Sequence, residues 1–255
     1  MSDIHAAAST GYARAATAYA AGRPGYPAAL DEWLTAAMAL GPGRVALDLG
    51  AGTGKLTTRL VATGARVIAV EPVDEMRAAL SASLPGVEAL AGMATAIPLA
   101  DASVDAITCG QSFHWFATPQ ALAEIARVLR PGGWLGLVWN VRDERTPWVQ
   151  ALTDIMTPYE GDAPRFHTGA WRRLFPAPGF GPLKERWFDH THVGPFETVV
   201  MDRVMSVSFI ASLPEAEQAL VRARIAALAP QHAARADPAR VVFPYRTLAV
   251  SAQRI

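Results

Sequence analysis

Apolar positions in the first half of the chain alternate between short continuous runs and stripes of helical spacing. The segments 45–49 and 66–72 have the length of buried strands, whereas Leu56 and Leu60, four residues apart, indicate a helix between them. Strands that alternate with helices favour an α/β fold with a parallel sheet. The pattern predicts helices near 12–20 and 27–39, followed by alternating strands and helices over 45–140.

The second half of the chain shows the same element types with less regular spacing. Thr146-Pro147 is typical of a helix start, and a strand is expected after Pro182. Helices over 197–206 and 213–229 and a last strand within 240–253 complete the layout. It suits a seven-stranded, mostly parallel sheet with helices on both faces and a helical insertion before the last strand. The proline-rich segment 158–182 gives no prediction.

Three glycines at alternate positions follow the first predicted strand. Gly50, Gly52 and Gly54 come after Asp48-Leu49, and a helical segment starts at Lys55. Glycine lets the backbone turn sharply and approach a ligand closely because it has no Cβ. A loop between a strand's carboxyl end and a helix's amino end is where open α/β sheets bind nucleotides.

Two common nucleotide motifs do not fit this loop. A phosphate-binding P-loop needs glycine at 49 and serine or threonine at 56, where Leu49 and Leu56 stand. A dinucleotide fingerprint needs glycine at position 55, which is Lys55. What remains is an acid, Asp48, shortly before three alternate glycines.

A second acid ends the next predicted strand. Glu71 lies about twenty residues beyond the glycine loop. A carboxylate at this point can accept hydrogen bonds from both hydroxyls of a ribose. This geometry alone would serve NAD equally well.

Later segments distinguish between the possible cofactors. Ile97-Pro98-Leu99 precedes an acid-led strand over 101–109, and a helical stripe over 122–129 leads into Arg130-Pro131-Gly132-Gly133, where Pro131 and Gly132 are expected to end the helix. With the glycine loop and Glu71, these segments resemble the motifs of class I S-adenosylmethionine-dependent methyltransferases. The resemblance is to small-molecule (type 11) members, which include ubiquinone-pathway and trans-aconitate-like enzymes. It extends from Tyr12 to about Trp148.

This resemblance implies a Rossmann-like fold, S-adenosyl-L-methionine as methyl donor and S-adenosyl-L-homocysteine as product. Arg23 would pair with the methionyl carboxylate, with the Tyr19 hydroxyl beside it. Many relatives carry aspartate near position 93 to bind the adenine amino group; here Met93 stands there, so backbone groups of Met93 and Ala94 would replace it. The full set of implied cofactor contacts is Tyr19, Arg23, Asp48, Gly50, Gly52, Gly54, Glu71, Pro72, Met76, Met93, Ala94 and Gln111.

The candidate catalytic residue is His114, which follows the fourth predicted strand in Gln111-Ser112-Phe113-His114-Trp115-Phe116. The resemblance places it near the methyl acceptor. Its neutral imidazole could take a proton near neutral pH, or it could hydrogen-bond and shape the pocket without transferring one. The expected acceptor contacts are Tyr26, Trp115, Phe116, Trp139 and Asn140. Packing under the next helix is the alternative for Trp115 and Phe116, and a strand-end cap is the alternative for Asn140.

Composition restricts the expected partners. The chain has 23 basic and 23 acidic residues, so no net charge draws it to nucleic acid. A single cysteine, Cys109, excludes an intramolecular disulfide and fits a reducing cytoplasm. No apolar run is long enough to span a bilayer, and His190 with His192 is a weak basis for a metal site. We therefore expect a cytoplasmic monomer or homodimer that binds neither membrane nor metal.

The expected organisation is one domain over 1–255, with an N-terminal helical flap at 1–40, a cofactor-binding core at 41–145 and a C-terminal part with a helical cap at 146–255. The expected function is in-line methyl transfer to a small-molecule acceptor, with oxygen as the expected acceptor atom. An NAD-linked oxidoreductase is one alternative, which Lys55 and the later motifs disfavour. A protein that binds S-adenosylmethionine without transferring methyl is the other.

Overall fold

The computed structural model describes residues 22–162, 164–232 and 240–255. The predicted helix near 12–20, and with it most of the predicted flap, lies outside the described residues. The α-helices are α1 (Ala29–Ala36), α2 (Lys55–Ala62), α3 (Asp74–Ser83), α4 (Pro119–Val128), α5 (Pro147–Met156), α6 (Arg203–Met205), α7 (Ser208–Ala211) and α8 (Glu215–His232). Short 3₁₀ segments lie at Phe113–Trp115, Thr157–Tyr159 and Ala170–Leu174, and Glu197–Asp202 is a π-helix.

Seven strands form one sheet. They are β1 (Val45–Leu49), β2 (Arg66–Val70), β3 (Glu88–Leu90), β4 (Val104–Gly110), β5 (Leu129–Arg142), β6 (Lys184–Gly194) and β7 (Val241–Gln253). Their order is β3-β2-β1-β4-β5-β7-β6, and the pairs from β3 through β5 are parallel. β7 runs antiparallel to β5, because Gly132 N donates to Arg254 O while Asp143 N donates to Pro244 O at the other end. The predicted seven-stranded, mostly parallel sheet is confirmed, as is the helical insertion between β6 and β7.

The strand order reverses at β1. The chain moves from β1 to β2 and β3 on one side, then crosses to β4 and β5 on the other. The carboxyl ends of β1 and β4 therefore border a topological switch point, where open α/β sheets bind ligands. The glycine loop follows β1 at this edge, and the 3₁₀ segment Phe113–Trp115 follows β4 there.

One face of this sheet is covered by α1 and α2. Leu30 and Leu34 of α1 and Leu60 of α2 are fully buried in a cluster with strand residues such as Ala46 and Ala106. Burying each of these leucines stabilises the fold by about 1.5–3 kcal/mol. α4 joins β4 to β5 in the opposite direction from the β1-to-β2 connection, so a right-handed crossover places it on the other face.

Helix α4 ends before the proline that was expected to end it. Thr118 caps its amino end, accepting a hydrogen bond from Ala121 N at 3.1 Å. Leu129 leaves the helix with extended backbone angles (φ −65°, ψ 141°) and begins β5. Residues 131–133 lie within that strand, where the register with β4 shifts between Val104 and Ala106. The prediction that Pro131 and Gly132 end the helix was wrong, because the turn is made by Leu129 and the glycines form an irregularity of the sheet.

The chain divides into two compact units. The larger unit comprises residues 26–140, 164–188 and 247–255 and contains the glycine loop, Glu71 and His114. The described part of the smaller unit comprises residues 22–25, 141–162, 189–232 and 240–246. Its own core is built from α5, the π-helix, α6, α8 and the start of β7, with buried members Val149, Leu152, Val200, Val204, Ile225 and Phe243. A single domain over 1–255 stays a prediction. No helix in the described parts of the chain is long and apolar enough to cross a membrane.

Candidate active site

The glycine loop has a backbone that other residues adopt only with strain. Gly50, Gly52 and Gly54 have φ angles of +69°, +58° and +88°. Left-handed backbone costs an L-residue about 1–2 kcal/mol. A Cβ on Gly50 would lie 2.8 Å from Ser112 Cβ, whereas a Cβ on Gly52 would meet only Met76 Sδ, at 3.7 Å. Gly50 is therefore required by packing, whereas packing alone would leave room for a Cβ at Gly52.

Glu71 is held by the backbone of the loop and of its own turn. Its Oε2 accepts from Gly52 N at 2.8 Å and its Oε1 from Val73 N at 3.0 Å, and the residue is 6% exposed. Burial raises the pKa of this carboxyl, and the two backbone donors and Arg77 offset only part of that rise. A carboxylate has about four acceptor positions, so two remain for ligand hydroxyls.

Asp48 lies beneath the loop and is fully buried. Its Oδ2 accepts from the Thr57 hydroxyl at 2.7 Å, and its Oδ1 lies 3.5 Å from the Thr108 hydroxyl. Burial raises the pKa of Asp48 to about 7, and the charge of Glu71 contributes to the rise. These bonds link β1 to α2 and β4, so the side chain supports the loop from below. Its contact with a cofactor stays a prediction.

The predicted adenine-side residues surround the end of β2. Glu71 N donates to Leu90 O, and Ala96 N donates to Met93 O, which forms a tight turn at Met93–Ala96. Ala94 is buried in this turn, and Met93 is half-buried. Pro72 is half-buried, and Met76 is buried with its sulfur directed toward Gly52. The structure therefore brings Met76 and Glu71 together at the loop.

The turn after β4 is tied to both neighbouring strands. Gln111 has a left-handed backbone (φ +58°), and its Nε2 donates to Asn140 O at 2.9 Å. The Ser112 hydroxyl donates to Leu49 O at 2.9 Å. Asn140 Oδ1 accepts from the Thr247 hydroxyl at 2.6 Å, so the amide oxygen of Asn140 is used inside the fold. These bonds fix the position from which His114 projects.

His114 is hydrogen-bonded to a tryptophan of β5. The indole Nε1–H of Trp139 donates to His114 Nδ1 at 3.1 Å, and Trp139 is fully buried. The rings of His114 and Trp115 are 5.3 Å apart. Phe116 packs edge-on against Phe113 at 5.6 Å and lies next to Gly50. Tyr26 packs with its hydroxyl against Gly110. His114 and the five predicted acceptor residues therefore all lie in the larger unit.

Sequence reasoning missed two aromatic residues of this region. The ring centroids of Trp171 and Phe166 lie 4.5 Å and 5.0 Å from that of Trp139. Trp171 is 1% exposed, and its indole N–H has no acceptor among the described residues. Both belong to the proline-rich segment that gave no prediction, where the aromatic residues themselves were the available signal. We call Trp139, Phe166 and Trp171 the aromatic cluster.

Two of the predicted cofactor contacts are not among the described residues of the larger unit. Arg23 belongs to the smaller unit, where its Nη2 donates to Ser206 O at 3.3 Å. Tyr19 lies outside the described residues. Among the residues that the structure describes, no group of three or more His, Cys, Asp or Glu side chains could hold a metal ion.

The comparisons with known proteins agree with this geometry. Residues 47–137 match a family described as a methyltransferase domain, type 11. An uncharacterized methyltransferase-like protein of Schizosaccharomyces pombe is 40% identical over 237 residues, 92% of each chain. An uncharacterized methyltransferase of Mycobacterium tuberculosis is 42% identical over 244 residues, 96% of each chain. This chain belongs to the methyltransferase family.

A solved structure supports the same conclusion. A putative type II methyltransferase from Anaeromyxobacter dehalogenans is 25% identical, with a TM-score of 0.59 that covers 91% of this chain and 97% of that one. The family implies S-adenosylmethionine as cofactor. The site fits that group, since the space at Gly52 and the two remaining acceptor positions of Glu71 lie side by side. The alternative of an NAD-linked oxidoreductase finds no support in these relatives.

Proposed function

We propose that the chain transfers a methyl group from S-adenosylmethionine to an oxygen atom of a small-molecule acceptor. The observation that carries the proposal is the hydrogen bond from Gly52 N to the Glu71 carboxylate, at 2.8 Å, at a glycine where an added Cβ would meet only Met76 Sδ. It orients the carboxylate toward the ribose hydroxyls of the cofactor.

The other cofactor contacts extend from this link. Met76 would pack against the ligand beside Gly52, and backbone groups of Met93 and Ala94 would serve the adenine, since neither side chain offers a strong polar group. Gln111 would lie near the methionine part, at the end of β4. Arg23 and Tyr19 remain proposed partners of the methionyl carboxylate and its surroundings.

The acceptor would bind beside His114 and the aromatic cluster. The cofactor supplies an electrophilic methyl group on a positively charged sulfur. The protein holds the acceptor oxygen in line with that methyl group, and near-attack positioning can lower a barrier by about 7–11 kcal/mol. Apolar rings at Trp139 and Trp115 exclude water from the reacting oxygen. Tyr26, Phe116 and Asn140 complete the proposed acceptor wall.

Methyl transfer tests the proposal directly. The purified chain is incubated with S-adenosylmethionine carrying an isotopically labelled methyl group and a panel of small hydroxyl and carboxyl compounds. We expect labelled product and S-adenosylhomocysteine in equal amounts, with the label on oxygen. Binding of cofactor without transfer to any acceptor would contradict catalysis, and label on carbon would contradict the acceptor atom.

A further inference from the structure

The hydrogen bond from Trp139 fixes the tautomer of His114. An indole N–H can only donate, so the nitrogen that it meets, Nδ1, must present a lone pair. A neutral imidazole carries its one proton on the other nitrogen. Nε2 of His114 is therefore the protonated nitrogen.

The surroundings of Trp139 hold this arrangement in place. Its ring is fully buried and contacts the two other rings of the aromatic cluster, Trp171 at 4.5 Å and Phe166 at 5.0 Å. A fully buried side chain in contact with two other rings cannot turn its N–H toward another acceptor without disturbing the aromatic cluster. Moving the proton of His114 to Nδ1 would leave the buried indole N–H without its acceptor, which is unfavourable.

We infer that His114 acts as an N–H donor to the acceptor rather than as a base, that Trp139 is the residue that positions it, and that the acceptor binds with its oxygen already ionised. This inference rests on the proposed transfer to oxygen. It decides between the two roles that the sequence left open for His114, and it names the acceptor class: carboxylates, and hydroxyl compounds acidic enough to lose their proton to water before they bind.

The reaction balances without a base. A lone pair of the ionised oxygen forms the new bond to the methyl carbon, the carbon–sulfur bond breaks, and its electron pair stays on sulfur. The negative charge of the acceptor and the positive charge of the sulfonium disappear together. A neutral hydroxyl group would also have to release a proton, and His114 offers no lone pair for it while Nδ1 accepts from Trp139.

The aromatic cluster contains a further N–H donor in addition to that of His114. The indole N–H of Trp171 is buried and has no acceptor among the described residues. Buried donors in folded proteins nearly always have an acceptor, so a ligand oxygen or a bound water is expected there. An anionic acceptor oxygen would satisfy this donor as well as His114.

Nitrogen-15 NMR of histidine-labelled protein reads the tautomer without any turnover. We expect His114 to show a protonated Nε2 and a bare Nδ1. The variant Trp139→Phe keeps a packing ring but removes the donor, and it should shift His114 toward a mixture of tautomers. A protonated Nδ1 in the wild-type chain would overturn the inference.

Substitutions of His114 separate a donor from a base. The amide N–H of a glutamine can reach about as far as Nε2, whereas alanine has no donor and neither residue can act as a base. We expect His114→Gln to keep kcat/KM within about tenfold of wild type and His114→Ala to lose about 100-fold. If His114 were a base, both variants would fall by about 10²–10⁴-fold. Equal losses in the two variants would overturn the inference.

Acceptor pairs test the substrate class. Each carboxylic acid is compared with the alcohol of the same skeleton, and we expect methyl transfer to the acid with the alcohol slower by at least about 100-fold. Equal rates for alcohols would overturn the inference but leave the proposed transfer to oxygen intact. Transfer to no acceptor at all would contradict the proposed function, while the NMR result would still report the tautomer.

Discussion

At the scale of single residues, the buried carboxyl group of Asp48 makes the stability of the fold depend on pH. Its carboxyl group is fully buried and bonded to Thr57, and burial raises its pKa from the ordinary value of 3.8 to about 7. Between those pH values the folded chain binds a proton at Asp48 that the unfolded chain does not. The stability that this proton contributes is fully present below pH 3.8 and is lost as the pH rises through about 7.

Asp48→Asn should remove this pH dependence. Asparagine keeps an oxygen for the Thr57 hydroxyl and carries no titrating proton. We expect the free energy of unfolding of the wild type, measured by urea titration, to fall by roughly 2 kcal/mol from pH 5 to pH 8 relative to the variant. Asp74→Asn is the matched control, because Asp74 is exposed at the start of α3, and it should follow the wild-type curve. The same pH slope in Asp48→Asn would assign the effect to another group.

The candidate site could be predicted from the sequence only where local spacing encodes it. Gly52 and Glu71 follow the ends of two consecutive strands, which the sequence pattern predicts. The structure places Gly52 N 2.8 Å from Glu71 Oε2. The hydrogen bond between Trp139 of β5 and His114 of the 3₁₀ segment after β4 joins residues 25 positions apart, and no local pattern reports it. Phe166 and Trp171 lie in a proline-rich segment without helical or strand periodicity, so nothing in the sequence orients them toward Trp139.

At the scale of elements, the glycine loop separates packing from ligand binding. Alanine at position 50 or 52 would have to adopt left-handed backbone angles, which destabilise the fold by about 1–2 kcal/mol. At position 50 the added Cβ would also lie 2.8 Å from Ser112 Cβ, which should cost about 1–3 kcal/mol more. At position 52 the Cβ would occupy the open space that we assign to the cofactor.

We therefore expect different losses in the two variants. Gly50→Ala should lower the free energy of unfolding by clearly more than Gly52→Ala. Gly52→Ala should instead lose most of its affinity for S-adenosylhomocysteine, measured by calorimetry. Gly86→Ala is the control, since its Cβ would have nothing within 4 Å, and it should change neither quantity. A Gly52→Ala variant with wild-type affinity would show that the cofactor does not approach the loop there.

Most of the helices and strands could be predicted from the periodicity of apolar residues. The strands β1, β2 and β7 and the helix α8 lie within a few residues of their predicted ranges, and β6 begins at Lys184, after Pro182 as expected. The end of α4 was predicted wrongly, because a proline marks where a helix cannot continue and not where it stops. Leu129 had already turned into β5, whose pairing with β4 outweighs the local signal.

At the scale of the larger unit, the candidate site lies at the carboxyl ends of the parallel strands, and stabilising ion pairs lie near the amino end of β4. The glycine loop, Glu71 and His114 follow the carboxyl ends. Near the amino end of β4, Asp105 accepts from Val45 N at 2.8 Å, Arg130 at 2.9 Å and Arg44 at 3.1 Å. Burial raises the pKa of Asp105, but these donors outweigh it, and the net shift is downward. Its stability contribution is present above pH 3.8 and is lost as the pH falls through the lowered pKa.

Asp105→Asn should therefore destabilise the fold and leave the site intact. We expect a loss of about 1–3 kcal/mol in the free energy of unfolding at pH 7, because charge-assisted hydrogen bonds weaken. The difference from wild type should shrink in acid, as wild-type Asp105 becomes protonated. Affinity for S-adenosylhomocysteine should stay within twofold of wild type, or about 0.4 kcal/mol. A large loss of affinity would mean that the two ends of the strands are coupled.

The central claim is that Glu71 and the glycine loop bind S-adenosylmethionine, and calorimetric titration of S-adenosylhomocysteine tests it most directly. Glu71→Ala should weaken binding by about 1.5–3 kcal/mol, or roughly 10–150-fold, because the charged acceptor of the ribose hydroxyls is lost. Glu88→Ala is the matched control, since Glu88 is an exposed carboxylate in β3 whose one ion-pair partner in the described part of the chain is Arg66. We predict unchanged affinity for that variant and no binding of NAD to the wild type. Equal affinities of the wild type and Glu71→Ala, or binding of NAD in place of S-adenosylhomocysteine, would contradict the claim.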